Sequence, residues 1–520
     1  MGCLVPIFTT APVLTSNAKA QPSSSFPRLK ASIALERKSP GSARFVVRSI
    51  LCSILLCCAI TAFAKTKVHC TKLIKFTGPN GYSPNSLVQG TDGNLYGSTR
   101  GLIAGSPHHH YRTGGSIFRM TPGGEQTILY TFCTQANCPD GDGPSGHMVL
   151  GTDGNLYGTT ASGGANYSED VGGGTVFKIT MTGTLTTLYS FCALSGCADG
   201  TFPGQLVQGS DGNFYGTTLE GGANANGTIF AVTPQGKLTT LYNFCSAANC
   251  VDGTNLNDGG VPIGLTEGTD GNFYGTTGDG GGVNGSGTVY KITASGKLTT
   301  LYNFCSQPNC ADGGNPIGGV IQATDGNFYG TTYASMGNVG TVFRVTPSGE
   351  LTTLHTFCGC PYDGYYPATV PIEGSDGNFY GTTAFTGYSI ASSGLFQTLH
   401  HMSGTYANPN TTLVQSTSGV FYGSTPRGGG NGTVYGMAVT GISPFVETVQ
   451  SSGKAGSTIM ILGQGFTGVT AVSFNGTSAS YNVVSDTYLT AVVPNGATSG
   501  PLTVATASGI LTSNKPFTVK

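Results

Sequence analysis

Tryptophan is absent from the 520 residues, only 9% of them are charged, and the formal net charge is -1. A chain so poor in charge has no basic face to set against phosphates, which excludes nucleic acid as a partner. It equally excludes an acidic disordered tail. Glycine is abundant at 83 residues but does not recur at every third position, so a collagen helix is excluded too. Hydrophobic residues reach 38%, enough for packed cores, and Tyr and Phe must supply the aromatic bulk.

The apolar run at residues 50–60 falls short of the ~20 residues that cross a bilayer. Arg44 and Arg48 precede it, and Ala62-Phe63-Ala64 places small residues where a signal peptidase reads. This pattern predicts a secretory signal cleaved after Ala64, hence an exported protein with no membrane span once the signal is removed. No lipobox-like small-residue pair precedes the cysteines, so no lipid anchor is expected. Residues 1–43 are Pro/Ser-rich and long for a signal's first region, which leaves Val46 or Val47 as alternative initiators.

What the chain does have is a repeat. Asp92-Gly93-Asn94-Leu95-Tyr96-Gly97 recurs from Asp153, Asp211, Asp270, Asp325 and Asp376, with a decayed copy from Ser418. Self-similarity of this kind means stacked or radial units. In the third copy, Gln205–Gln208 reads as a short strand, Gly209-Ser210-Asp211-Gly212 as a turn, and Asn213–Thr218 as the next strand. Residues 228–233 and 237–244 supply two more strands around the turn Pro234-Gln235-Gly236. Four antiparallel strands per unit is the arithmetic of a β-propeller blade. In the sixth copy, Ser393-Gly394-Leu395-Phe396 reads as running straight into Gln397-Thr398-Leu399-His400 with the hairpin deleted. The seventh has no fourth strand, while residues 72–76 form an orphan one, so the two chain ends are expected to close the ring. The expected architecture is all-β: a presequence over 1–64, a seven-bladed β-propeller over 65–441 and an immunoglobulin-like β-sandwich over 442–520.

Cysteine usage fits export. Of fifteen cysteines, eight form Cys-x4-Cys pairs: Cys133/Cys138, Cys192/Cys197, Cys245/Cys250 and Cys305/Cys310. Local disulfides are expected there, since zinc would need four ligands converging from one place. Cys70 has no obvious partner, and the pairing of Cys358 with Cys360 stays open. No metal or cofactor is expected. The motif Asp offers too few oxygens for calcium and reads as a cap on its own turn.

Two repeated positions bear on function. Tyr96, Tyr157, Tyr215, Tyr274, Tyr329, Tyr380 and Tyr422 could form a sugar-binding set, but their uniformity favours inter-blade packing. Gln89, Leu150, Gln208, Glu267, Gln322, Glu373 and Gln415, three residues before the Asp, either line a channel as ligand groups or satisfy strand ends.

The unit G-[ST]-D-G-N-[LF]-Y-G-[ST]-T … G-T-V-[FY]-[KR]-[IV]-T … G-x-L-T-T-L-Y-x-F resembles the tandem repeat of choice-of-anchor GloVer-containing proteins, over residues 71–441. That resemblance implies an exported bacterial protein. The D-G-N-x-aromatic blades are also similar to those of streptogramin lyase, which implies a catalytic His and an acid at the channel mouth. His147 is the histidine placed for that role, with Glu267 or Glu373. His355, His400 and His401 fall in outer or decayed positions, and His108-His109-His110 in a loop of the first blade. Ile442-Ser443-Pro444, Gly456–Phe466, Val472–Gly476 and Leu489–Pro494 resemble an IPT/TIG domain, which implies a spacer or adhesion unit. Its only basic residues are Lys454, Lys515 and Lys520, too few for DNA. The expected function is a secreted, monomeric, non-enzymatic binding protein for a glycan or a cell-surface protein. The alternatives are a channel lyase or hydrolase and a structural matrix component.

Overall fold

The computed structural model describes residues 67–520, apart from 79–80, 102, 105–110, 113, 168–172, 247–249, 251, 253–261, 282–284, 334–338, 361, 368, 403–408 and 410. The signal segment and His108-His109-His110 lie outside the described residues. No helix among the described residues is long and apolar enough to cross a membrane.

Strands carry the chain. Seven four-stranded antiparallel sheets occupy the repeat region, here called blades 1 to 7. Their inner strands are Pro84–Gln89, Asp142–Leu150, Thr201–Gln208, Pro262–Glu267, Val320–Gln322, Ile372–Glu373 and Val414–Gln415. The outer strand of blade 7 is Val68–Lys75, which runs antiparallel to Thr433–Val439 with Val68 opposite Val439 and Lys75 opposite Thr433.

The motif explains why each blade forms. Gly212 sits at φ +87°, a left-handed conformation that the turn demands and a side chain resists. Gly216, in the Tyr-Gly step, leaves room for the Phe230 ring, which would lie 2.7 Å from an added Cβ. The closing Thr of the second strand meets the first Thr of the third, as in Thr218 with Thr228 at 2.9 Å and Thr277 with Thr288 at 3.0 Å. These buried hydroxyls satisfy one another, so the polar pair survives in the blade interior.

An apolar cluster fills every junction between neighbouring blades. Tyr96 and Phe132 meet Leu156 and Phe177 between blades 1 and 2. The pattern continues through the next five junctions. Ile74 and Val434 of blade 7 meet Leu95 and Phe118 of blade 1, which completes a ring without a free blade face.

Blade 6 differs from its reading in the sequence. Its hairpin is intact: Thr386–Ile390 and Phe396–His401 flank a turn in which Gly394 N–H donates to the Ala391 carbonyl. The contraction lies one loop earlier, where Thr382 is followed within four residues by Thr386. Gly387 replaces the usual Val, and that change hid the third strand.

Beyond Thr440 two four-stranded sheets form a sandwich. One holds Glu447–Thr448, Thr458–Leu462, Tyr488–Val492 and Tyr481–Ser485; the other holds Thr477–Ser478, Ala471–Phe474, Leu502–Thr506 and Gly509–Thr512. Alternating residues such as Ile459, Ile461, Val472, Phe474, Leu502 and Val504 point into a common core.

Candidate functional site

The uniform motif residues are consumed by structure. In every full copy the Asp accepts three hydrogen bonds: for Asp211, from Asn213 N–H at 3.0 Å, Asn213 Nδ2 at 2.7 Å and the Tyr215 hydroxyl at 2.9 Å. Each motif Tyr then lies against the motif Leu or Phe of the next blade. Tyr157 stacks on Phe214 at 3.9 Å, Tyr215 on Phe273 at 4.0 Å, and Tyr274 on Phe328 at 3.8 Å. These rings are inter-blade packing and leave no aromatic face for a sugar.

The Gln/Glu ring is likewise engaged. Each member reaches back to the motif turn of the preceding blade. Gln208 Oε1 accepts from Thr152 N–H at 2.9 Å, and Gln322 Oε1 from Thr269 N–H at 2.8 Å. Glu267 takes both the Ser210 N–H at 2.9 Å and the Ser210 hydroxyl at 2.6 Å. Glu373 clamps Thr324 in the same way. Gln415 holds Ser375, and Gln89 holds Thr417. The ring is therefore a belt of blade-to-blade clamps, each accepting a backbone N–H from the preceding blade's turn.

Leu150 breaks the belt, and the sandwich sits at the break. Thr91, the turn residue that a Gln at 150 would hold, instead gives its carbonyl to the Thr487 hydroxyl of the sandwich at 2.8 Å. Leu150 packs in one cluster with Leu462, Val449 and Tyr488 of the sandwich. Phe445 N–H donates to the Thr417 carbonyl at 3.0 Å, and the Thr417 hydroxyl to the Gly463 carbonyl at 3.4 Å. Lys520 Nζ reaches the Ser210 hydroxyl at 2.6 Å. The sandwich thus covers the channel mouth beside blades 7, 1, 2 and 3.

Two adjoining cavities follow the channel. The first, about 370 Å³, is lined by inner strands together with Glu447, Thr448, Val449, Leu462, Asn514 and Lys515 of the sandwich. The second, about 440 Å³, continues toward the opposite mouth past Arg100, Phe202 and Pro262. His147 and Gln205 line both, at the waist where the cavities join. Six residues before the motif Asp or its Ser418 counterpart, in or just ahead of the inner strands, stand Ser86, His147, Gln205, Gly264, Gly319, Val370 and Thr412. This is the register at which the copies differ most. The sequence reading passed over Gln205, although aligning the copies at this position would have exposed it.

His147 makes no hydrogen bond to another described residue. Its ring faces the cavity rather than outer solvent, and burial lowers its pKa to about 4, so it is neutral at pH 7. Lowered from an unfolded value of 6.5, it adds stability that is complete above about pH 6.5 and is lost as pH falls through about 4. The whole effect is on the order of 3 kcal/mol. Denaturant unfolding from pH 7 to 4 should therefore show a shallower loss of stability in His147→Gln than in the parent. Equal slopes would contradict this placement of the ring. Glu447 is half-buried and lines the first cavity; burial raises its carboxyl pKa, and nearby Lys515 opposes the shift.

On the opposite face from the motif turns, disulfides close the blade-to-blade connectors. Cys133–Cys138, Cys192–Cys197, Cys245–Cys250 and Cys305–Cys310 are formed, and Cys358 pairs with Cys360. An Asp after each pair, missed in the sequence although Cys-x-Asp-Gly recurs, organises the loop. Asp199 accepts from the Tyr189 hydroxyl at 2.8 Å and from Ala193 N–H at 3.0 Å. In blade 5 His355 replaces the Tyr and meets Asp363 at 2.7 Å. Cys358, Cys360 and Asp363 cluster within 4.8 Å, but both sulfurs are spent on the disulfide. Cys70 is free and half-buried, and burial raises its thiol to about 11, which keeps it unreactive. A loop this short loses little entropy on closure, so Cys192→Ser/Cys197→Ser should cost about 2 kcal/mol. Denaturant midpoints of the variant and parent check this.

The profile of the Gloeobacter/Verrucomicrobia repeat matches residues 59–257, 172–395 and 247–435, and that of the IPT/TIG domain matches 438–519. No curated protein matches the chain. Solved structures similar to it include catalytically inactive virginiamycin B lyase from Staphylococcus aureus with quinupristin, at 14% identity and TM-score 0.47, covering 72% of this chain and 99% of that one. A gluconolactonase from Xanthomonas campestris follows at 15% identity and TM-score 0.36, covering 57% and 85%. The aldose sugar dehydrogenase of Streptomyces coelicolor, in its PQQ-bound form, stands at 14% identity and TM-score 0.38, covering 60% and 97%.

Proposed function

Because the chain belongs to the Gloeobacter/Verrucomicrobia repeat family and carries an IPT/TIG domain, we propose that it is an exported binding protein holding a small organic ligand in the propeller channel, without catalysis. The observation that carries this reading is the waist of the channel. His147 and Gln205 are unengaged polar side chains there, beside Gly264 and Gly319, which leave space. Cavities of a few hundred cubic ångströms with a few convergent polar groups are what small-ligand sites look like.

The same geometry disfavours a lyase or hydrolase. General acid–base chemistry needs an acid and a base in reach of one substrate. Glu267 and Glu373, the candidate acids, hold turn residues of the neighbouring blades. Neither is hydrogen-bonded to His147. A glycan on an aromatic platform is disfavoured as well, since the repeated Tyr rings are buried between blades.

The test is a panel of small metabolites, lactones and short glycans offered to the purified protein, with binding and turnover both followed. Saturable binding without turnover, lost in His147→Ala/Gln205→Ala, is the expected result. Turnover that disappears in His147→Ala would overturn the reading in favour of an enzyme.

A further inference from the structure

The IPT/TIG domain supplies part of the ligand site. Its cavity-facing charged residues, Glu447 and Lys515, are not paired with each other. Glu447 is half-buried and lines the cavity, its backbone is paired to Leu462, and its carboxylate has no hydrogen-bond or ion-pair partner among the described residues. A carboxylate that faces a cavity and has no protein partner there is available to a ligand. Lys515 lines the same cavity from its exposed rim, close enough to influence Glu447 electrostatically, yet the two do not close into an ion pair. Opposite charges that line one cavity without pairing to each other can receive a ligand carrying the complementary pair.

The walls fix the rest of the ligand. Val149, Leu265, Ile321, Ile372 and Leu413 give these walls an aliphatic surface, and among the described residues no Phe or Tyr lines this cavity. Sugars and nucleobases lack the stacking surface they favour, whereas an aliphatic side chain is accommodated. The docking of the domain is specific rather than incidental, because the one apolar member of the clamp belt, Leu150, lies where it seats.

We propose that this cavity binds a small aliphatic zwitterion, a free amino acid or short peptide, with its ammonium on Glu447, its carboxylate on Lys515 and its side chain toward the waist. This proposal rests on the channel-binding reading above and specifies its ligand.

Isothermal titration of the full chain with L-leucine and glycyl-L-leucine tests it. Isocaproate, isoamylamine and maltose serve as probes lacking the ammonium, the carboxylate or both. The zwitterions are expected to bind and the other three to bind at least ten-fold more weakly. Glu447→Gln and Lys515→Met should each reduce zwitterion affinity at least ten-fold with the far-UV circular dichroism unchanged. Zwitterion affinity unaltered by Glu447→Gln, or no zwitterion binding at all, overturns the proposal. A different ligand whose binding depends on His147 and Gln205 but ignores Glu447 overturns it while leaving the channel-binding reading standing.

Discussion

Deleting Val68–Lys75 is expected to abolish cooperative folding of the propeller. This strand supplies seven register pairs to Thr433–Val439 and no other strand can take its place. Without it the Thr433–Val439 edge is exposed, with a full row of unpaired donors and acceptors. Ile74 leaves the cluster that joins blades 7 and 1, and Val68 and Cys70 leave the one that joins blades 6 and 7. Two junctions therefore fail together, and a ring has no partial closure that restores them. A domain is stable by about 5–15 kcal/mol in all, so loss of a strand and two junctions should exceed the margin. Thermal unfolding and size-exclusion chromatography of the deletion should show aggregation and no cooperative transition. A monomeric, cooperatively melting deletion variant would contradict the ring.

The second large effect is at a single ring. Tyr274→Ala should cost roughly 3–5 kcal/mol, the range for removing a large buried aromatic. Tyr274 is 1% exposed, lies 3.8 Å from Phe328 across the blade 4–5 junction, and donates to Asp270 at 2.9 Å. Its alanine variant opens a cavity in a cluster that also holds Val289, Phe304 and Phe343. Tyr274→Phe keeps the stack and should cost only about 1 kcal/mol, because Asp270 retains its bonds from Asn272. Equal costs for the two variants would mean that the hydroxyl, not the packing, holds the junction.

The difference between these residues and the waist explains what the sequence could disclose. Fold class was legible because turn chemistry, strand alternation and a repeated Tyr each act locally and are copied in every blade. The motif Asp and Tyr could be assigned by that uniformity, since a part used identically at every junction belongs to the scaffold. The Gln/Glu belt was ambiguous, because a side chain at a channel mouth can point inward or reach to the next blade, and only three-dimensional placement decides. Blade 6 was misread where Gly387 interrupts the Val-aromatic pattern. Glu447 was invisible as a site residue. It is one acidic residue in a separate module, and its meaning comes from docking against inner strands drawn from the whole repeat region, which no local pattern spans.

The proposed ligand site lies where the copies differ, and one comparison addresses this directly. Ligand affinity and melting temperature should be measured side by side for His147→Ala/Gln205→Ala at the waist and for Gln208→Ala in the clamp belt. The waist variant should lose binding and keep its melting temperature. The belt variant should lose about 0.5–1 kcal/mol of stability, from the lost clamp on the exposed Thr152 N–H, and bind as before. The reverse pattern, binding lost with Gln208 and kept without His147 and Gln205, would place the ligand on the uniform ring and contradict the assignment.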